Sequence, residues 1–158
     1  MKLLVISDSH RNTDHIKYAA AQAKPDIVLH LGDCVGDACE LQRYLPDTPV
    51  YMVLGNNDYR PGIPNEILLT QENVRIYMTH GHIYRVKAGL QILIEKARQQ
   101  KADIALFGHT HAALLRQADG IWLMNPGQMM RHDEYFPATY GIIAIENGNF
   151  KCDIASLF

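Results

Sequence analysis

The chain has 158 residues, 47% of them apolar and 20% charged, with a formal net charge of −2. That balance suits one globular domain over 1–158, excludes a disordered chain and argues against a bulk nucleic-acid binder or a coat for anionic membranes. Eight histidines are a surplus in so short a chain, and histidine is the commonest metal ligand.

In chain order, Leu3 to Ile6 reads as a buried strand. Asn12 or Thr13 caps an alanine-rich helix to about Ala23, and Pro25 stops it. Asp26 to Leu31 is a second strand, Asp37 to Leu45 a helix ended by Pro46, and Val50 to Leu54 a third strand. This alternation predicts right-handed crossovers and a largely parallel sheet. Glu66 to Thr70 and Val74 to Thr79 form a hairpin about Gln71-Glu72-Asn73. Val86 to Gln100 has helical spacing of apolar residues, with basic residues near its end. Asp103 to Phe107 is a buried-type strand. Ala112 to Gln117, Ile121 to Asn125, Thr139 to Ile145 and Phe150 to Ile154 read as an antiparallel tail. Its turn dipeptides are Asp119-Gly120 and Asn147-Gly148. The class is a mixed αβ sandwich.

The N-terminal apolar run is too short for a signal-peptide core, and no stretch approaches the roughly 18 apolar residues of a membrane span. Cys34, Cys39 and Cys152 form no C-x-x-C pair, so free thiols in a cytoplasmic protein are expected.

Polar residues cluster where the apolar strands end: Ser7-Asp8-Ser9-His10, Gly32-Asp33, Gly55-Asn56-Asn57-Asp58, Thr79-His80-Gly81-His82 and Gly108-His109-Thr110-His111. Ligands of open α/β sheets bind at such carboxyl ends. In extended chain, residues i and i+2 point the same way, so Asp8 aims with His10 and His109 with His111. Carboxylate, imidazole and amide oxygen together suit Mn²⁺, Fe²⁺, Zn²⁺, Co²⁺ or Ni²⁺ better than Ca²⁺. More than four ligands on one rim point to two metals, an arrangement that clamps the attacking and leaving oxygens of a displacement at phosphorus.

As an ordered set, Asp8-x-His10, Gly32-Asp33, Gly55-Asn56, His80 and Gly108-His109-Thr110-His111 resembles the calcineurin-like metallophosphoesterase superfamily. The small size and Asn125-Pro126-Gly127 resemble its short phosphodiesterase branch. The resemblance implies a four-layer αββα sandwich with mixed sheets. It implies two divalent ions, Mn²⁺ first among the candidates: one held by Asp8, His10 and His111, the other by Asn56, His80 and His109, with Asp33 bridging. A bridging hydroxide would attack a small phosphodiester in line. It also suggests a homo-oligomer.

Two positions depart from the family pattern. Asn57 stands where many members have a histidine that protonates the leaving group, and Gln128 where the short branch has serine. Asn57 and Asp58 are the remaining catalytic candidates, Asp58 either orienting a ligand or capping the loop. His82 lies beside His80 or only on its loop, His30 reads as a satisfied core histidine, and His15 and His132 as surface residues. Arg60, Arg85 and Arg131 either meet substrate phosphate or are solvated, and Tyr135 and Phe136 line a pocket or a subunit contact. The leading expectation is a metal-dependent phosphodiesterase. The alternatives are a non-catalytic interaction scaffold of the same fold, as in a retromer subunit, and a phosphomonoesterase.

Overall fold

The structure, a computed structural model, describes residues 1–131 and 133–158, so the expectation for His132 falls outside the described residues. Two five-stranded sheets are stacked face to face. The first half of the chain folds as the alternation predicts: β1 (Lys2–Ile6), α1 (Thr13–Ala23), β2 (Ile27–His30), α2 (Val35–Tyr44) and β3 (Val50–Met52). β1 pairs in parallel with β2, and β2 with β3. The second half gives β4 (Glu66–Gln71), β5 (Val74–Thr79), α3 (Gln91–Gln99), β6 (Ile104–Leu106), β7 (Leu114–Ala118), β8 (Ile121–Asn125), β9 (Thr139–Glu146) and β10 (Asn149–Ser156). The sheet orders are β10-β9-β1-β2-β3 and β4-β5-β6-β8-β7.

Alternation along the strands builds the layers. Leu3 and Val5 face the space between the sheets, where they meet Leu29, Ile76, Met78, Leu106 and Ile143. Leu4 and Ile6 face outward onto Ile16, Ala19, Ala20 and Ala23 of α1. On the second sheet, Tyr77, Ala105 and Leu123 face Leu93, Ile94 and Ala97 of α3. The result is helix, sheet, sheet, helix. No helix among the described residues is long and apolar enough to cross a membrane.

Three local expectations are corrected. The segment 86–100 is not one helix: a 3-10 turn at Val86–Ala88 precedes α3, and Gly89 between them, with φ +141°, breaks the run. α2 begins at Val35, not Asp37, because the Asp58 carboxylate accepts the Val35 N–H at 2.9 Å. The tail is not one antiparallel unit. Its β7–β8 hairpin joins the second sheet, where β8 runs parallel to β6, and its β9–β10 hairpin joins the first, beside β1. The α1 cap resolves to Asn12, whose side chain accepts the His15 N–H, and Lys24 at φ +47° ends the helix just before Pro25.

Leu29 lies fully buried between the sheets. Leu29→Ala should lower the unfolding free energy by about 3 kcal/mol, read from urea denaturation.

Candidate metal centre

β1, β2, β5 and β6 deliver their carboxyl ends to one rim, and the loop after β3 joins them. Backbone hydrogen bonds tie the ends together: Asp8 N–H to Gly32 O (3.0 Å), His10 N–H to Asp33 O (3.3 Å) and Gly108 N–H to His80 O (2.9 Å). Asp8, His10, Asp33, His109 and His111 all have left-handed backbones, with φ between +43° and +69°. Residues other than glycine adopt that region rarely and at a cost. Each turn swings a side chain off its strand axis and into the rim. The packing leaves no spare room, since a Cβ on Gly55 would lie 2.0 Å from Asp33 Oδ1 and one on Gly108 2.0 Å from Ser7 Oγ.

The predicted ligands converge. Asp8 Oδ1 lies 3.3 Å from His111 Nε2, 3.8 Å from His10 Nε2 and 3.9 Å from His80 Nε2. Asp33 Oδ2 lies 3.6 Å from His80 Nε2 and 3.9 Å from His10 Nε2. Asn56 Oδ1 is 3.1 Å from His80 Nε2. The His109 ring stands edge-on to His80, with centroids 5.1 Å apart. Two groups of donor atoms are close enough to share an ion: Asp8, His10 and His111, and Asp8, Asp33 and His80. The sequence pattern singles out one carboxylate between the two histidine sets; the structure puts two there, Asp8 as well as Asp33.

The electrostatics fit divalent cations. Asp8 is fully buried. Its Oδ2 accepts from the Ser7 hydroxyl (2.6 Å) and the His109 N–H (3.1 Å), but Oδ1 has no hydrogen-bond partner, and neither does His10 Nε2. Such orphaned polar atoms are rare in a core and need an explanation. His80 supplies another clue. Its Nδ1 sits 2.8 Å from the Leu31 carbonyl, which can only accept, so Nδ1 carries the proton. The other nitrogen of a neutral His80 then points a lone pair at two carboxylates. A cation among these atoms satisfies all of them. Burial pushes the Asp8 carboxyl upward, but His10, His111, His80 and Ser7 outweigh it and hold the group well below the usual carboxylate range. Asp8 chiefly raises His10, whereas burial pushes His109 down to about 4.

A family model described as the calcineurin-like phosphoesterase superfamily domain matches residues 1–148. The chain belongs to that superfamily. It is 32% identical over 150 residues to the probable metallophosphoesterase YsnB of Bacillus subtilis, covering 93% of this chain and 86% of that protein. It is 23% identical to the phosphodiesterase MJ0936 of Methanocaldococcus jannaschii, covering 96% and 97%. Among solved structures, a predicted phosphoesterase from Streptococcus pneumoniae superposes with a TM-score of 0.81 at 26% identity, over 99% of this chain and 89% of that one.

In this phosphoesterase, side chains around the ligands hold the turns. Asp58 does not face the rim with a free oxygen: Oδ2 accepts from the Asp33 and Gly55 N–H groups (both 2.8 Å) and Oδ1 from Val35 N–H. It clasps two ligand loops to the start of α2. Asn57 grips the Asp33 carboxylate, with its backbone N–H on Oδ1 (3.0 Å) and its amide on Oδ2 (2.7 Å). The Asn125 amide donates to Gly108 O (3.1 Å) and Thr110 Oγ1 (2.9 Å), bracing the His109–His111 turn. Gln128 is buried and holds its own loop, with its amide on Phe136 O (2.6 Å) and its carbonyl on Met130 N–H (2.5 Å).

Of the other histidines, His82 lies beside the rim, with its ring 5.4 Å from His80 and 6.2 Å from His109. His30 is fully buried with both nitrogens engaged: Nδ1 accepts from Gly32 N–H (3.1 Å) and Nε2 meets Ser9 Oγ (3.1 Å). Ser9 in turn donates to Asp37 Oδ2 (2.6 Å), which also accepts the Arg11 N–H (2.8 Å). His15 is not a free surface residue, since its Nδ1 sits 3.0 Å from Met129 O and Phe158 packs on its ring. Arg131 pairs with Asp14 at 3.3 Å across the surface. Sequence reasoning missed Asp37, Arg11 and Asp133. Asp133 accepts from the Tyr135 and Phe136 N–H groups and lies 3.9 Å from His111 Nδ1. No local motif marks these three, because each acts on partners distant in sequence or across a turn.

Two predictions follow from these supports. Asp58→Ala leaves three backbone N–H groups without acceptors. It should cost about 3 kcal/mol in urea denaturation and weaken Mn²⁺ affinity by about tenfold or more in a calorimetric titration. His30 is held neutral by burial, which pushes it down to about 4. Below about pH 6.5 the unfolded chain therefore takes up a proton that the folded chain refuses. The stability linked to His30 is complete above that pH and is lost as pH falls towards 4. His30→Gln should flatten the fall in unfolding free energy over that window, measured against the parent chain.

Proposed function

We propose that this phosphoesterase is a phosphodiesterase that hydrolyses small phosphodiesters by in-line attack of water at a two-metal site. The observation that carries the reading is the pair of carboxylates, Asp8 and Asp33, each within 4 Å of both His10 and His80. Asp8, His10 and His111 would hold one ion, and Asn56, His80 and His109 the other, with Asp33 between them. When bound, the two cations lower the pKa of a shared water and neutralise charge on the phosphoryl oxygens; Mn²⁺ suits the mixed oxygen and nitrogen donors, as do Ni²⁺, Co²⁺, Fe²⁺ and Zn²⁺.

The chain's own residues set the geometry. Leu31 O fixes His80 with its Nε2 lone pair towards the rim. Ser7 and the His109 N–H take one oxygen of Asp8 and leave the other free for an ion. Asn57 orients Asp33 but has no proton to give at neutral pH, so this site favours esters whose leaving oxygen departs without a general acid. The name of MJ0936 supports the diester preference. The convergence of ligands is what a metal-dependent hydrolase requires.

The test is hydrolysis of bis(p-nitrophenyl) phosphate by chelator-stripped protein resupplied with Mn²⁺, Ni²⁺ or Co²⁺. Turnover should depend on the added metal, exceed that on p-nitrophenyl phosphate, and fall at least about 100-fold in Asp33→Ala. Equal rates with and without metal, or a faster rate on the monoester, would overturn it. Metal uptake without any turnover, together with a stable protein partner, would mark the scaffold reading as the correct one.

A further inference from the structure

Beside the ligands the rim opens into a small pocket of about 210 Å³, lined by His10, Arg11, Asp33, Cys34 and Asn57. Arg11 is its unexplained member. The residue is exposed, yet its backbone is fixed: φ is +70°, and its N–H donates to Asp37 Oδ2 at 2.8 Å. Asp37 is only 5% exposed and is itself anchored through Ser9 to His30, which is wholly buried. A buried polar chain thus presents Arg11 on the pocket wall. Its guanidinium is free of carboxylates: among the described residues, the ion pairs of Lys and Arg involve Lys17, Lys96, Arg98, Arg131 and Lys151, not Arg11. The oxygen of Asp37 nearest its backbone is already taken by two donors. An arginine whose backbone is held in place and whose guanidinium is left unpaired, at the mouth of an ester-cleaving site, is a fork for a planar oxyanion.

We propose that this pocket receives one ester arm of the substrate, and that Arg11 selects arms carrying an anionic group of their own. The inference rests on the phosphodiesterase reading. The pocket is open to solvent, so it seats the part of the arm next to the phosphoryl group. The cation ligands His10 and Asp33 form the inner wall, so the phosphoryl group sits at that end and the charged end of the arm lies towards Arg11.

The experiment compares two ligands that no phosphoesterase hydrolyses, phenylphosphonate and 4-carboxyphenylphosphonate, titrated calorimetrically into Mn²⁺-loaded protein. The parent chain should bind the carboxylated ligand about fivefold more tightly, the scale of one solvent-facing ion pair. In Arg11→Gln the ratio of the two affinities should fall to about one, and Arg11→Lys should keep part of it, since it retains the charge but not the fork. Metal content and thermal unfolding of each variant are measured alongside, so that a damaged centre is recognised. Equal binding of the two ligands by the parent chain, or an undiminished preference in Arg11→Gln, would overturn the proposal. Hydrolysis of bis(p-nitrophenyl) phosphate is followed in parallel. Failure of that assay with the Arg11-dependent preference intact would sink the hydrolase reading and leave the subsite standing.

Discussion

The architecture turns on one buried carboxylate. Asp8 has no solvent contact, and burying a charge costs several kcal/mol unless the surroundings replace its hydration. Only one of its oxygens is satisfied by protein donors, and those donors come from both sheets. Ser7 lies at the end of β1, whereas the His109 N–H belongs to the turn after β6. The Asp8 carbonyl in addition accepts the Met129 N–H, bringing in the loop beyond β8. The same residue therefore stitches the two sheets together at the rim and leaves one oxygen facing three imidazole nitrogens. That oxygen is stable only if a cation or protonated imidazoles complete it, so the fold's central polar joint and its metal-binding capacity are one feature.

Around that joint, the cost lies in the backbone. Five of the seven proposed ligands are in the left-handed region, where each strained residue costs on the order of 1–3 kcal/mol. Such conformations persist only when neighbours over-determine them. The neighbours here are buried hydrogen-bond clasps: His30, Ser9 and Asp37 under the Asp8–Arg11 turn, Asp58 under Asp33, and Asn125 on Gly108 and Thr110 either side of His109. The apolar sandwich sets where the strands end, and the clasps then set where the side chains point. Neither alone makes a site, since a bound cation needs donors placed to a fraction of an ångström.

Which parts were legible in the sequence follows from the range of the interactions involved. The strands were readable because alternation and turn dipeptides are local; Asp119-Gly120 and Asn147-Gly148 both adopt the positive φ angles that such hairpins require. The convergence of the proposed ligand side chains on one rim was readable because each follows an apolar strand. The start of α2 was not, because it is set by Asp58, 23 residues away. The break before α3 lay hidden behind helical spacing that runs through Gly89. Asp37 looks like an ordinary residue in the first turn of a helix until the fold places Ser9 and Arg11 against it. Asp58 was visible as a candidate, but only the fold shows its oxygens consumed by three amides. The division of the tail between two sheets depends on which face each hairpin buries, and neither dipeptide encodes that.

Position 57 links the local geometry to the choice of substrate. An imidazole there would stand free to protonate a departing oxygen. An asparagine turns instead to Asp33, and its amide occupies the carboxylate oxygen that faces His10 and His80. The substitution thus removes an acid and adds a restraint on the carboxylate between the two histidine sets. A diester carries one negative charge where a monoester carries two, so it needs less neutralisation from the centre. An arm with a stabilised leaving oxygen needs no acid at all. On the phosphodiesterase reading, the neighbouring pocket, with Arg11 and Asn57 in its lining, would be the part of the site that distinguishes one arm from another.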